Sequence, residues 1–309
     1  MLSLFQRKVK KGGLTSVVFT TEGVAFAHTT KKQSELKLDL CDFQPSSAPL
    51  KETSKFTNYV NSKALDGTQA SIVLPQDCYQ ILLVEKPSVP EAELIDALRW
   101  RVKDMVSFDI EQTIIDYVEL PEDAYRSRPQ MVYVVVAQQN KVDSYIAWCQ
   151  EIGLCPVIVD VPEFALLNLS EDLADEEAGL AVFFVDSKNS SINLMSDSAL
   201  YFTRQLQYNL YSSPESAGGA VLEMQRSMDY YESQIGKPPC VRLIVFPMLM
   251  DDDPLISELR YNLPLDIHSL NLENLVDTDL ELSAELQKKA TIAIAAALRL
   301  DNLNAGGRA

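Results

Sequence analysis

The chain has 309 residues, 47% of them hydrophobic, and carries 27 Lys and Arg against 44 Asp and Glu. That length and apolar content suit two sizeable lobes and exclude a disordered chain. The net charge of −17 opposes binding to nucleic acid or to an anionic membrane surface and favours a protein partner with a basic segment.

Five cysteines without a CxxC pair, with His28 and His268 as the only histidines, support neither a disulfide frame nor a zinc site. Cys149 and Cys240 fall within apolar patterns and are expected as buried thiols. No apolar run approaches the ~18–20 residues of a bilayer span, and the start lacks a signal-peptide core, so a soluble cytoplasmic protein is expected.

Residues 1–11 place Leu2, Leu4 and Phe5 ahead of Arg7, Lys8, Lys10 and Lys11. This apolar-then-basic arm is read either as a loosely ordered terminus or as a segment that lies on a membrane surface. Residues 14–20, 24–29 and 36–41 read as three strands, the first two joined tightly at Glu22-Gly23. A polar loop over 42–50, a helix over about 51–65 and a strand over 70–74 complete a βββαβ order.

The order then changes. Residues 79–84 read as a strand, 90–105 as a helix, 113–120 and 131–137 as strands, and 141–152 as a second helix stopped by Gly153. This β-α-β-β-α run is expected to be a small ferredoxin-like module. Ser88 with Glu91 forms a capping-box pattern around Pro90 for its first helix. Leu94, Leu98, Val102 and Met105 make one apolar stripe, and Trp100 falls well off it. Val142, Tyr145, Ile146 and Cys149 give the second helix a face that must cover a sheet. Residues 120–130, with two prolines and mixed charge, read as a surface loop.

Residues 156–159 return to strand, and Asp160 with Glu163 repeats the capping pattern for a short helix to Leu169. An acidic hinge over 170–177 follows. Three strands over 180–185, 191–195 and 199–206 begin the βββα order again, followed by a helix over 215–234, a buried strand over 241–246, a short helix over 254–261 and an alanine-rich helix over 283–300. The whole is an α/β chain of two βββαβα copies. Its expected division is a first lobe over 1–169, with the inserted module at about 79–153, and a second lobe over 170–309.

Several stretches carry a family resemblance. The Arg99-Trp100 pair, the Phe108-Asp109-Ile110-Glu111 turn and Asp116-Tyr117 resemble the RWE helix, IPF turn and D-Y/F strand of the PilM family of pilus-assembly proteins. Tyr201-Phe202-Thr203-Arg204 is similar to that family's F-T-R strand, EMQRSMDYY over 223–231 to its I-Q-R-S-x-x-F-Y helix, and IAIAAALR over 292–299 to its closing A-x-G-L-A-L-R. The resemblance implies an actin-like (ribonuclease H-like) two-lobed fold at the cytoplasmic face of the inner membrane. It implies a scaffold that holds the N-terminal cytoplasmic tail of a PilN-like membrane protein, in a groove between the inserted module and the first lobe. Contact with the pilus motor ATPase is a further implied partnership, and membrane contact is indirect, through the partner.

The same resemblance locates the positions where chemistry would lie. Actin-like ATPases grip phosphate with glycine turns, because a residue without Cβ lets backbone N–H groups approach the oxygens. The family's first loop reads D-I-G-S, and here the positions are Val18-Phe19-Thr20-Thr21. In the second loop Asp186 is kept, but the glycine position is Lys188. The Gly-Gly pair that would pack the adenine is replaced by Phe246-Pro247-Met248-Leu249.

A pseudo-ATPase without cofactor, ATP included, and without a catalytic or metal site is therefore expected. For Asp186 and Lys188 two readings stay open: a residual metal ligand with a phosphate-binding charge, or a strand-end cap with a solvated lysine. The sequence holds no GxSxG and no HExxH. The alternatives are a nucleotide-binding actin-like ATPase and the cytoplasmic part of a GspL-type secretion protein, whose membrane helix is not found here.

Apolar residues left over from one core are often where a partner docks. Trp100, Val106, Phe108 and Ile110, in a segment judged too short to bury the last three, are thus the peptide-binding candidates. For Trp100 and Phe108 the alternative role is to pack the module against the first lobe.

Overall fold

The structure is a computed structural model that describes residues 11–32, 35–125, 129–170, 173, 179–186, 190–196, 199–206, 214–250 and 252–300. The apolar-basic arm lies outside the described residues except for Lys11, whose Nζ donates to the Ala64 carbonyl at 2.6 Å. The acidic tract, Ser170 and Leu173 apart, and Lys188 also lie outside them.

Strand β1 (Leu14–Phe19) is buried along its whole length, because it is central and covered on both faces. It pairs antiparallel with β2 (Gly23–Lys32) and parallel with β4 (Gln69–Val73). Strand β3 (Glu35–Pro45) pairs with β2, and α1 (Thr53–Ser62) connects β3 to β4. Alternation divides the core between the two faces. Val17 and Phe19 join Phe26, Phe56 and Trp148 on one, while Val18, Ala25 and Val73 belong to the cluster on the other.

The inserted segment runs β5 (Tyr79–Glu85), α2 (Glu91–Val102), β6 (Thr113–Glu119) and β7 (Met131–Gln138), with sheet order β5-β7-β6. Leu94, Leu98 and Val102 of α2 pack on Val84, Ile115 and Val132. The helix ends at Val102, so Met105 is left exposed and outside the expected stripe.

The expected capping box does not form, since Pro90 occupies the cap and the Glu91 carboxylate accepts instead from the Tyr117 hydroxyl at 2.7 Å. The following helix α3 (Gln139–Glu151) differs from a module helix in what it covers. Its Trp148 and Cys149 sit with Phe19 and Phe56 of the first lobe, and its end feeds β8 (Cys155–Asp160), which pairs parallel with β4. The unit that stands apart is thus β5-α2-β6-β7, and α3 serves as the crossover of the main sheet.

Short helices α4 (Pro162–Ala165) and α5 (Leu167–Ser170) lead to the second lobe. There β9 (Gly179–Phe184), β10 (Ser190–Ser196), β11 (Ala199–Leu206), α6 (Pro214–Tyr230), β12 (Cys240–Phe246), α7 (Pro254–Asn262) and β13 (Asp266–Ser269) build a sheet of order β11-β10-β9-β12-β13. The F-T-R strand and the Q-R-S helix are tied by Arg204, which donates to Glu223 at 2.7 Å.

The chain then returns to the first lobe. Strand β14 (Asp277–Thr278) pairs with β3, and α8 (Ala284–Ala297) covers β1 and β2. Its small residues allow close approach: Ser16 Oγ donates to the Ala293 carbonyl at 2.5 Å, and Thr29 Oγ1 to that of Ala297 at 2.6 Å. The lobes are therefore not two consecutive halves, because residues 277–297 complete the first one.

The loop over 120–125 is a clasp and not the surface excursion its prolines suggest. Leu120 and Tyr125 are buried, the Tyr125 N–H donates to the Ile235 carbonyl at 3.0 Å, and Asp123 accepts from Tyr201 at 2.7 Å and from Lys237 at 2.8 Å. All five cysteines are free, and burial pushes the Cys149 thiol up.

Candidate functional site

The turn after β1 holds its own amides. Thr20 Oγ1 accepts from the N–H groups of Glu22 at 3.2 Å and Gly23 at 3.1 Å, and the Thr20 N–H donates to the Gly23 carbonyl at 2.9 Å. The Thr20, Glu22 and Gly23 amides are thus satisfied within the turn. The glycine here serves packing, since a Cβ on Gly23 would stand 2.2 Å from the Gln44 carbonyl oxygen of β3. Lys289 of α8 reaches across to Glu22 at 3.6 Å and to Glu285 at 2.9 Å. At the second loop the Asp186 N–H donates to Ser190 Oγ at 3.1 Å, and that hydroxyl donates back to the Asp186 carbonyl at 3.0 Å. Of the second loop, the described residues thus show Asp186 and Ser190 bonded to each other. Among the described residues no cluster of His, Cys, Asp and Glu has metal-ligand geometry.

The site with room for a ligand lies elsewhere. A cleft of about 580 Å³ opens between β6 of the inserted unit and β8 of the first lobe. Ile114, Val157 and Val159 line it and are 40%, 46% and 39% exposed, so three apolar side chains that no core covers face one cavity. The sequence explains why: β6 sends Ile115 and Tyr117 to α2, which by alternation turns Ile114, Asp116 and Val118 to the cleft. One end is closed by Asp160 and Arg299, whose guanidinium donates to the carboxylate at 2.5 Å. Burial raises the Asp160 carboxyl above its ordinary range, opposed by Arg299. Asp160 therefore fixes the residues just after α8 against the edge of the sheet and is not the helix cap its spacing suggests.

Glu163 is likewise no cap. It is fully buried where the three parts meet, accepting from Tyr79 of the inserted unit and from Gln205 of the second lobe, each at 2.7 Å. Its own carbonyl accepts from Asn193 at 2.9 Å. Burial raises its carboxyl, and the Tyr79 and Gln205 donors pull it back.

The expected peptide-binding residues sit apart from this cleft. Val106, Phe108 and Ile110 are half-buried against the core of their own unit, because the turn after α2 folds back beneath the helix. Arg99 holds that turn by donating to the Ile110 carbonyl at 2.7 Å. Trp100 is 70% exposed, with the Lys103 ammonium 4.1 Å from its ring centroid, so it packs neither a core nor the lobe interface. Sequence reasoning missed Ile114, Val157 and Val159. In the sequence Val157-Ile158-Val159 and Ile114-Ile115 are consecutive apolar runs, which mark strands without marking which side chain faces a cleft.

Comparison with solved structures defines the class. Over 93% of this chain and 98% of the other, the structure matches a PilM-PilN type IV pilus biogenesis complex with a TM-score of 0.77 at 18% identity. It also matches the cytoplasmic domain of EpsL, an inner membrane component of the type II secretion system of Vibrio cholerae, over 92% and 95% with a TM-score of 0.52 at 10% identity. A protein of Bacteroides thetaiotaomicron with an actin-like ATPase fold and unknown function matches over 93% and 98%, with a TM-score of 0.53 at 12% identity. The fold is that of the actin-like ATPases. Within it, the family described as type IV pilus assembly protein PilM matches residues 76–213, which span the inserted unit, α3 to α5 and the first strands of the second lobe. No curated protein matches the sequence.

Proposed function

We propose that this protein is a scaffold of a type IV pilus assembly platform that holds the N-terminal cytoplasmic tail of a PilN-like inner-membrane protein in the cleft between β6 and β8. The observation that carries the reading is the cleft itself, an apolar site between the inserted unit and the first lobe, where the PilM resemblance leads one to expect the tail. The similarity of residues 76–213 to PilM and the likeness to a PilM-PilN complex support it. Within the family the residues resemble MshI, the PilM-like protein of mannose-sensitive haemagglutinin pili, and that pilus is the proposed setting. The protein works in the cytoplasm, at the inner membrane through its partner, and a link to the motor ATPase belongs to the same proposal. It does so as a pseudo-ATPase, since the turn that would receive phosphate keeps its amides to itself.

Co-purification from native membranes identifies the partner, and a fluorescent peptide of that partner's N-terminus then measures binding in nucleotide-free buffer. Saturable binding is expected. A partner without a short cytoplasmic tail, or a tail peptide that fails to bind, sinks the scaffold reading. Binding that appears only with ATP would couple the two sites and remove the pseudo-ATPase part.

A further inference from the structure

Five consecutive residues, 157–161, line the cleft on the β8 side, and Asp116, Tyr117 and Val118 do so on the β6 side. Successive side chains of a strand point to opposite faces, so a cavity that touches consecutive residues lies against the strand's edge and not against one face. Both strands are outermost in their sheets. The cleft is thus bounded by two sheet edges.

The two edges are not equivalent. In the parallel ladder of β4 and β8, the Cys155 N–H donates to the Thr68 carbonyl at 2.8 Å and the Leu74 N–H to the Asp160 carbonyl at 2.9 Å. With Ser71 opposite Ile158 and Val73 opposite Asp160, alternation turns the N–H and C=O of Val159 into the cleft. Val157 falls in a register shift and has no partner in β4.

On β6 the Leu120 N–H continues the ladder to the Met131 carbonyl at 3.0 Å, so the opposite parity, Thr113, Ile115, Tyr117 and Glu119, faces outward, and of these Tyr117 lines the cleft. There the protein's own side chains take two of the outward groups. The Tyr117 N–H is taken by Asp116 Oδ1 at 2.8 Å, and the Thr113 carbonyl by Arg99 at 3.3 Å. Beside β8, Asp160 Oδ1 takes the Val161 N–H at 2.8 Å in the same way, but among the described residues no side chain closes Val159, and an edge position left open is a template for pairing.

We propose that the tail occupies the cleft as an added strand on β8, making main-chain hydrogen bonds to Val159 while β6 contributes side chains only. The proposal rests on the reading of the cleft as the tail-binding site. The segment it fits is extended and alternates apolar side chains, one parity against Val157 and Val159, the other against Ile114 and Val118. With Asp116 on one wall and a net charge of −17, it carries a Lys or Arg beside the apolar residues.

The test uses the full-length protein and the fluorescent N-terminal peptide of the co-purified PilN-like partner. Val159→Pro removes an N–H that β4 does not use, and proline is tolerated on an edge. Val159→Ala keeps the N–H and removes side-chain area. The expected result is a loss of at least about tenfold in affinity for Val159→Pro, beyond that of Val159→Ala, with both variants melting near the wild type. Peptides N-methylated at single positions, tested on the wild type, should lose binding at one parity only.

If the plain peptide fails to bind, the tail-capture reading falls and the inference with it. If it binds but Val159→Pro and both N-methyl parities bind like their parents, strand addition alone is overturned. Should Val159→Pro not fold, the N-methyl series decides. A concentration-dependent dimer that Val159→Pro abolishes would assign the edge to a second copy of the chain and overturn the proposal.

Discussion

Trp100 and Trp148, the two tryptophans of the chain, lie in opposite environments. Trp148 is 3% exposed, its ring centroid 5.0 Å from Phe56 and 5.1 Å from Phe19, and its indole N–H donates to the Pro49 carbonyl at 3.0 Å. Truncation to Ala leaves a cavity and an unpaired acceptor, so Trp148→Ala is expected to cost about 3–5 kcal/mol in chemical denaturation. Trp100→Ala removes little beyond the contact with Lys103 and should change stability by about 1 kcal/mol or less. It should also leave tail binding unchanged. A Trp100→Ala protein that folds normally and loses the tail would return the site to the outer face of α2.

Glu163 makes a prediction at the same scale. Burial holds its folded-state pKa above the ordinary 4.5, so the fold favours the protonated carboxyl. A carboxyl raised in this way contributes most below its ordinary value, and the contribution is lost as pH rises through the folded value. Asp160 is raised as well and acts in the same direction, while Asp123 is lowered by Lys237 and acts in the opposite one. Glu163→Gln keeps the shape and the neutral state of the protonated form. Its melting temperature should therefore exceed that of the wild type at mildly alkaline pH and converge with it at mildly acidic pH. A variant that melts below the wild type throughout would show that the ionised carboxylate is what Tyr79 and Gln205 require.

At the scale of elements, the segment after α2 and the two edge strands separate packing from recognition. Phe108 is half-buried in the core of its own unit, so Phe108→Ala is expected to cost about 1–3 kcal/mol of stability and to affect the tail only through that loss. Val157 is 46% exposed on the cleft, so Val157→Asp should melt close to the wild type while tail affinity falls. Equal effects of both substitutions on affinity, at matched stability, would deny that the cleft is the site.

The same elements mark what the sequence made legible. Strands β1, β4, β5 and β7 and helix α8 lie within a residue or a few of the expected ranges, because period-2 and period-3.6 apolar patterns report burial directly. The partner of a buried face leaves no such local trace. The stripe on α3 announced that some sheet would be covered, and only the fold assigns most of it to the first lobe. Asp160 and Glu163 carry the spacing of a helix cap, yet one meets Arg299, 139 residues on, and the other meets Tyr79 and Gln205. Val157 and Val159 read as ordinary strand residues, since being at an edge is a property of the sheet and not of the strand.

For the whole molecule, the issue is what holds the lobes in place if no nucleotide bridges them. The Tyr133 hydroxyl of the inserted unit accepts from the Thr203 N–H of the second lobe at 3.1 Å, and the Tyr125 and Tyr230 hydroxyls lie 3.0 Å apart. With Glu163, these contacts join the inserted unit, the first lobe and the second lobe through buried polar groups, which are costly to separate because each would be left unpaired. A fold pinned in this way has no need of a ligand to close it. Mg-ATP is therefore expected to bind no more tightly than about millimolar, and nucleotide at its Kd would stabilise the protein by only roughly 0.4 kcal/mol. Calorimetry and thermal melts with and without Mg-ATP measure this, with Asp186→Ala as the control at the second loop. A strong heat of binding that Asp186→Ala removes would restore a nucleotide-dependent role. Melts that do not respond to nucleotide, together with tail binding that needs none, would make this actin-like fold a fixed frame for its cleft.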